Sequence, residues 1–389
     1  MISDPMAVLV VLAGVVYLAV RLEEEYHLFR SLGSALVAIL IALVLSNVGI
    51  IPGESPAYVF LVGPGVSVGI ALILFSVDVR TVFSAGPSML GAFAIGAVGT
   101  VAGAVTGAFL WSGMVGPETW KLSGQFTGTY TGGGVNFAAV GQAVGTSGDL
   151  FTAGIAADVI ITALWMAACL TAPLLLGGSG RTGAPITVEP YQTNKDDAPD
   201  DSPDSLHLAL FASPRPLKLA DVAGLVTLGI GTTWAAGWFG QFWTAIPSVL
   251  WLTTIALLLA QVPAVKRLSG SAVLGNYLVL LFLASNGASS VIAKIFEVGP
   301  GVFYFAATTV AIHGVVIFGV GRLAGIDAGT LAVASQANVG GPASAIALAS
   351  ARGYADRLLP GVAVGLLGYA AGNYLGLAVA RIMQGVLGG

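Results

Sequence analysis

Apolar residues recur along this chain in runs of membrane-spanning length, at roughly 6–20, 31–48, 57–77, 85–112 and 150–176, then 218–239, 243–262, 271–291, 301–321 and 358–384. A chain of such runs must hydrogen-bond its backbone internally, which predicts an all-α polytopic membrane protein of about ten transmembrane helices. Composition agrees, with 56% hydrophobic and 9% charged residues and a mean hydropathy of +0.91. A soluble globular domain would carry about a quarter charged residues. No basic segment and small-residue cleavage site accompany the first run, so Met6 to Val20 reads as a retained span. The single cysteine, Cys169, excludes disulfide frameworks. A net charge of −4 without a basic block argues against nucleic acid as a partner.

The runs fall into two halves. A hydrophilic segment with Asp196-Asp197, Asp200-Asp201 and several prolines separates them, so residues 1–176 form one half, 177–217 a flexible cytoplasmic linker and 218–389 the second half. Between the fourth and fifth runs of each half lies a polar, glycine-rich stretch. The first is Gln125-Phe-Thr-Gly-Thr-Tyr-Thr-Gly-Gly-Gly-Val-Asn136, and the second is Ser335-Gln-Ala-Asn-Val-Gly-Gly-Pro-Ala-Ser344. Shifted by 207 positions, Gly133-Gly134 falls on Gly340-Gly341, Ala138 on Ala345, Asp149 on Asp356 and Gly154 on Gly361.

Charge decides how these stretches run. If each enters and returns on one side, as re-entrant hairpins over about 119–145 and 327–351, only Lys121, Lys294 and Arg381 of the 15 cations lie opposite the rest. If both crossed, the split would be nine to six. The positive-inside rule selects the hairpins, with both termini outside. A half with five crossings, repeated, then sits upside down against the first, giving two inverted-topology repeats whose hairpin tips meet near the midplane. Glycine, at 54 residues, also serves packing. Gly99, Gly103 and Gly107 share one helical face, a ridge that lets backbones touch.

The hairpin tips are the candidate site. The glycines Gly132, Gly133, Gly134, Gly340 and Gly341 free backbone amides at the start of each returning arm, next to Asn136 and Ser344. Half-helix N-termini there suit an anionic group. Carbonyls and hydroxyls ending the first arms, with Thr129, Thr131, Ser335, Gln336 and Asn338, suit a sodium ion, which we place at Thr129, Thr131, Ser335 and Asn338. Small polar residues could instead only glue packed helices. Asp158, near mid-depth in the fifth run, reads as a sodium ligand or proton carrier, or as a partner for Thr162. His313 stands at similar depth and could carry a proton or simply pack. Asn286 marks a polar break in the eighth run, and Arg352 follows the second hairpin, where it could clamp a carboxylate. No phosphate-binding loop occurs. Gly177-Gly-Ser-Gly180 matches an intramembrane serine-protease spelling but lies in the linker.

Through Thr131-Gly-Gly-Gly-Val-Asn136 and Ser335-Gln-Ala-Asn-Val-Gly-Gly-Pro342, and nearly end to end, the chain resembles the YjcL-like integral membrane proteins. More distantly it resembles the sodium-coupled glutamate and 2-hydroxycarboxylate symporters. Their signatures read closer to Gly-Gly-Asn-Gly or Gly-Gly-His-Gly. The paired acidic residues of electrogenic sodium/proton antiporters have no counterpart here, since Ala157 precedes Asp158. The resemblance implies an elevator mechanism, in which a core carrying both hairpins slides against a scaffold in a homodimer.

The sequence therefore predicts a secondary transporter of a bacterial inner membrane and not an enzyme. Sodium-coupled symport of a small anionic or zwitterionic solute, such as a carboxylate, amino acid or short peptide, is the leading expectation, with the lipid bilayer as surroundings and no cofactor besides the ion. A cation/proton antiporter using Asp158 or His313, a membrane-embedded hydrolase using Ser179, and a passive channel are its rivals.

Overall fold

In the computed structural model, the described residues are 2–387 apart from 79–81, 83–84, 177–215 and 245. Nearly all of the linker predicted over 177–217, and with it Ser179, lies outside them. All regular structure among the described residues is helical. The first half contains α1 (Pro5–Glu25), α2 (His27–Asn47), α3 (Pro56–Leu74), α4 (Gly86–Val115), α5 (Thr119–Gly132), α6 (Gly134–Val144) and α7 (Gly148–Leu175). The second contains α8 (Leu219–Phe242), α9 (Ser248–Ala260), the short α10 (Pro263–Lys266), α11 (Ser271–Ala288), α12 (Ile292–Leu323), α13 (Ala328–Ala351) and α14 (Ala355–Leu387).

Among the described residues eight helices are long and apolar enough to cross a membrane, and two apolar helices, Leu32–Asn47 and Ser248–Ala260, are shorter. The sequence expectation of about ten spans counted those two at full length. Gly33, at φ 75°, kinks α2 and shortens its straight part. Caps mark several starts: Asp4 accepts from the Ala7 amide at 2.8 Å ahead of Pro5, and Ser55 caps α3 ahead of Pro56.

The helices sort into two groups by packing. One holds α1, α2, α3, α8, α9 and α11, and the other holds α4 to α7 and α12 to α14. Contact between the groups is thin. It includes the Tyr374 hydroxyl on Thr254 at 2.7 Å, Asn373 on Thr253 at 3.1 Å and Thr152 on Ser290 at 2.8 Å.

The second group is built on bare glycine faces. Helices α4 and α12 run antiparallel, with Gly99 against Val316 and His313, Gly103 against Thr309 and Gly107 against Phe305. A Cβ at Gly103 would come within 2.8 Å of the Thr309 Cα and closer still to its carbonyl oxygen. The ridge read from sequence is thus a packing face. Helix α14 offers a second one, where Gly368, Gly372 and Gly376 lie against the backbone of α5 at Thr131–Gly132, Gly128 and Gly124. Close backbone contact replaces the hydrophobic drive that a bilayer withholds from helix association.

Two of these elements are broken. Between α5 and α6 the chain turns at Gly133, at φ 98° and ψ 175°, and α13 is interrupted at Gly341, at φ 75° and ψ −167°. The pivots are therefore 208 residues apart, one more than the sequence shift of 207. Pro342 is the reason: its fixed φ suits the first turn of the returning arm, so the positive φ falls on the residue before it.

Each broken element returns to its starting end. Lys121 Nζ donates to the Gly145 carbonyl at 2.8 Å, and the Ser147 amide donates to Glu118 at 3.0 Å. In α13, Arg357 pairs with Asp327 at 3.1 Å. The two open toward opposite ends of α12. The start of α12 lies beside the first, through the Val291 amide on Asp149, and its end leads into the second after 32 residues, about 48 Å.

Overpacking in such an interface costs about 1–3 kcal/mol. Gly103→Ala is therefore expected to lower the thermal unfolding temperature in detergent, whereas Gly113→Ala, with nothing within 4 Å of the new methyl, should not. The mouth of α13 gives a pH test. Burial pushes the Asp327 carboxyl up, but hydrogen bonds from the Thr330 hydroxyl and amide, the Arg357 charge and the Gly329 amide outweigh it and hold the group below its ordinary value. Its contribution is then fully present above the unfolded carboxylate value of about 3.9 and is lost as pH falls through the lowered one. The unfolding-temperature gap between wild type and Asp327→Asn should close on acidification.

Candidate functional site

The two breaks touch. A Cβ at Gly133 would stand 3.4 Å from the Gly341 Cα, and one at Gly341 would stand 3.1 Å from the Gly132 carbonyl oxygen. Where they meet, the ends of four half-helices are brought together inside the protein. Phe126, Phe137, Phe151 and Phe305 pack in tilted and edge-to-face pairs around the first break and exclude solvent from its flank.

Backbone groups at the breaks are only partly satisfied. The Thr129 carbonyl accepts from the Gly133 amide at 2.6 Å, and the Tyr130 carbonyl accepts from the Thr100 hydroxyl at 2.7 Å. The Thr131 carbonyl faces Asn338 Nδ2 at 3.5 Å, a long contact. The returning arm that begins at Gly134 has no side-chain cap on its first amides. Gly134 is exposed and has nothing within 4 Å of an added methyl, although Gly132 and Gly133 beside it are buried. The N-terminus of α6 is therefore accessible at Gly134.

Several side chains here are buried and unpaired. Thr129 Oγ1, the Tyr130 hydroxyl, Asn136 Oδ1, both polar atoms of Gln336 and Asn338 Oδ1 have no hydrogen-bond partner. Buried polar atoms are paired in the great majority of cases, so a cluster of orphans in one place calls for an explanation. Asp158 joins them from α7, buried, with the Thr162 hydroxyl at 3.5 Å. The Thr129 and Tyr130 hydroxyls face the same carboxylate without closing a hydrogen bond. Unpaired oxygen atoms beside a buried carboxylate held only by hydroxyls are a donor set suited to a hard monovalent cation.

Other hydroxyls in these segments are engaged. Thr119, Ser123, Thr127 and Thr131 each donate back to their own backbone three or four residues earlier, the usual way that a helix hides such groups. Thr131 keeps lone pairs, but Ser335 does not: it contacts Trp165 Nε1 and His313 Nε2, both at 2.9 Å, and Cys169 Sγ at 3.7 Å. Of the four positions predicted for sodium, Thr129 and Asn338 are the ones with unpaired oxygens.

The residues read from the sequence are distributed as follows. Asn136 uses Nδ2 on the Gly368 carbonyl at 2.8 Å and leaves its oxygen free. Gly340 lies against Ser344 and Gln336, so its lack of a side chain holds those two together. His313 is buried between α4 and α13, with Nδ1 at 2.9 Å from the Gly96 carbonyl and 3.0 Å from Thr100 Oγ1. Asn286 sits in the other helix group and donates to Phe282 in its own helix at 3.0 Å. Arg352 caps the far end of α13, eleven residues past Gly341 and thus about 16 Å along the helix, so it is not brought to the breaks.

Sequence reasoning passed over Tyr130, Gly96, Thr100 and Trp165. Tyr130 carried a signal, as a large aromatic inside a run of threonines and glycines. The other three come from distant segments and reveal themselves only when α4, α7 and α12 close around the breaks. A separate cleft of about 1070 Å³ lies between the two helix groups, lined by Glu54, Ser55, Tyr58, Val62, Gln142 and Ser289 among others. Gln142 stands two turns from Val135, on the α6 face that begins at the first break.

Comparison with known proteins adds a family and a relative. The family described as "Protein of unknown function (DUF819)" matches residues 7–386. The chain is also similar to the "Uncharacterized membrane protein YjcL" of Bacillus subtilis (strain 168), with 28% identity over 372 residues, covering 92% of this chain and 91% of that protein.

Neighbouring glycines at the first break should respond differently to alanine. Gly133 adopts a conformation open essentially to glycine, so Gly133→Ala is expected to destabilise by about 1–3 kcal/mol. Gly134→Ala adds a methyl to open space at an ordinary φ and should keep the wild-type unfolding temperature. Thermal denaturation of the two variants side by side checks this.

Proposed function

The chain belongs to the DUF819 family, and from that premise we propose that this multi-pass membrane protein is a secondary active transporter, coupling sodium to symport of a small anionic or zwitterionic organic solute. The observation that carries the reading is the set of unpaired buried oxygens on the segments flanking the two touching helix breaks, with Asp158 beside Thr129 and Tyr130. Sodium would take the Asp158 carboxylate with Thr129, Asn338 and Asn136 oxygens. The solute's anionic group would take the first amides of α6, reached at Gly134. Charge supports pairing the two: the sodium offsets Asp158, and the arms' partial positive ends favour an anion.

In this reading α5–α6 and α13 are re-entrant hairpins entering from opposite faces, within inverted repeats. Their closure onto their own starting ends and their placement at opposite ends of α12 support it. The second helix group is the moving core and the first is the scaffold, through which two copies pair. Thin contact between the groups, and the cleft that separates them, favour sliding. The bacterial inner membrane, with both termini outside, is the proposed setting.

Coupling requires that ion and solute favour the same state, because a ligand shifts an equilibrium only by its differential affinity. Thermal stability of purified protein in sodium, potassium or choline, with carboxylates, amino acids and dipeptides added, tests this. Binding at a hundredfold excess over Kd stabilises by about 2.7 kcal/mol. A sodium-specific rise that one solute class enlarges and Asp158→Asn removes is the expected result. Indifference to sodium together with a response to pH that Asp158→Asn removes would favour a cation/proton antiporter instead.

A further inference from the structure

The hydrogen bonds around His313 place its first proton and, for a neutral ring, the others. The Gly96 carbonyl can only accept, so His313 Nδ1, 2.9 Å away, carries a proton. Thr100 donates its own proton to the Tyr130 carbonyl at 2.7 Å, which leaves its oxygen as a second acceptor for Nδ1–H at 3.0 Å. On the other side, the Trp165 indole can only donate, and it donates to Ser335 Oγ at 2.9 Å. The Cys169 thiol fills the second lone pair of that oxygen at 3.7 Å. Ser335 then has one proton left, and His313 Nε2, at 2.9 Å, is where it goes. With the imidazole neutral, it is protonated on Nδ1, which faces a carbonyl, and bare on Nε2.

The resulting chain runs one way, from Trp165 and Cys169 on α7, through Ser335 on α13, His313 on α12 and Thr100 on α4, to the Tyr130 carbonyl on α5. Two of its links, Ser335 and the Tyr130 carbonyl, belong to the first arms of the two broken helices. Ser335 immediately precedes Gln336 and lies one turn before Val339, and Tyr130 lies between Thr129 and Thr131. Those arms carry the unpaired groups Thr129, Tyr130, Gln336 and Asn338. Gly96 makes the approach possible, since a Cβ there would stand 2.9 Å from the His313 ring and would overlap Asn338 Oδ1.

We propose that His313 is a positioning residue that locks the first arms of both broken helices to one another, so that the ion-binding and solute-binding groups they carry are set and released together. The residue is then not the proton carrier that the sequence allowed, because neither ring nitrogen is left over for the site. Coupling chemistry falls to Asp158. The proposal rests on the transporter reading for its purpose, but the brace itself does not.

The first arm of the test is spectroscopic. Nitrogen-15 spectra of histidine-labelled protein in detergent contain three histidines, and the signals that vanish in His313→Asn belong to His313. A protonated Nδ1 with a bare Nε2 is expected; a proton on Nε2 would overturn the brace. The second arm is a double-mutant cycle read by the sodium chloride concentration at half-maximal thermal shift, with choline chloride as control. His313→Gln keeps an acceptor for Ser335 but cannot reach Gly96, and Thr100→Val cuts the link to Tyr130.

If both act through one chain, each should raise the sodium midpoint by on the order of tenfold and the pair should raise it no further. Thr100→Ser, which retains the hydroxyl, should restore the wild-type midpoint. Effects that multiply in the pair, or unchanged midpoints in both single variants, would contradict the proposal. If wild type itself ignores sodium, the transporter reading loses its ion. The tautomer and the same cycle read on unfolding temperature then still decide the brace, with non-additivity again the expected result and additivity the contrary one.

Discussion

Two helix breaks placed back to back inside a protein demand something that side chains ordinarily forbid, which is backbone against backbone. At Gly133 and Gly341 the demand is met by positive φ values and by the absence of any Cβ between the pivots. The rest of the architecture follows from holding that contact. The α14 glycine face receives the first arm at Gly124, Gly128 and Gly132, and the α4 glycine face seats α12. Neither interface would close with larger residues. Non-helical backbone is tolerated in a membrane only where protein surrounds it or a wet cavity meets it. Gly133 is enclosed, whereas Gly134 opens on space.

That contact sorts the polar residues into two kinds. Hydroxyls such as Thr127 and Thr131 return their protons to their own helix and behave as packing residues. Others, at Thr129, Asn136, Gln336 and Asn338, keep atoms with no partner although fully buried. An unpaired buried polar atom costs about 1–3 kcal/mol, so a fold that retains several in one place has a reason to do so. A bound ion and solute that complete these groups supply that reason in our reading. His313 separates the classes: it is a polar residue at the centre of the core with every donor and acceptor used.

Much of this was legible in the sequence because it is local. The doubled glycine-rich stretches, the spans around them, the Gly99–Gly107 ridge and the isolated Asp158 are all patterns within one segment. What was not legible depends on neighbours remote in the chain. The pivot in α13 fell one residue later than the repeat alignment placed it, because Pro342 opens the returning arm and keeps the residue before it out of the helical region. Ser335 read as a free ligand until Trp165, Cys169 and His313 closed around it. Arg352 and Asn286 share the polar character of the site but not its location. A list of polar residues in an apolar chain does not say which ones face each other, and the helix packing does.

The central claim is that the two broken helices enter the membrane from opposite sides and meet inside it. Side-specific labelling tests it most directly. Single cysteines in place of Lys121, Thr146, Asp327 and Gly353, in a Cys169→Ala background, would be exposed to a membrane-impermeant thiol reagent in right-side-out and inside-out vesicles. The account expects Lys121 and Thr146 to react from one side and Asp327 and Gly353 from the other. Labelling of Lys121 and Thr146 from opposite sides, or of all four from one side, would contradict it.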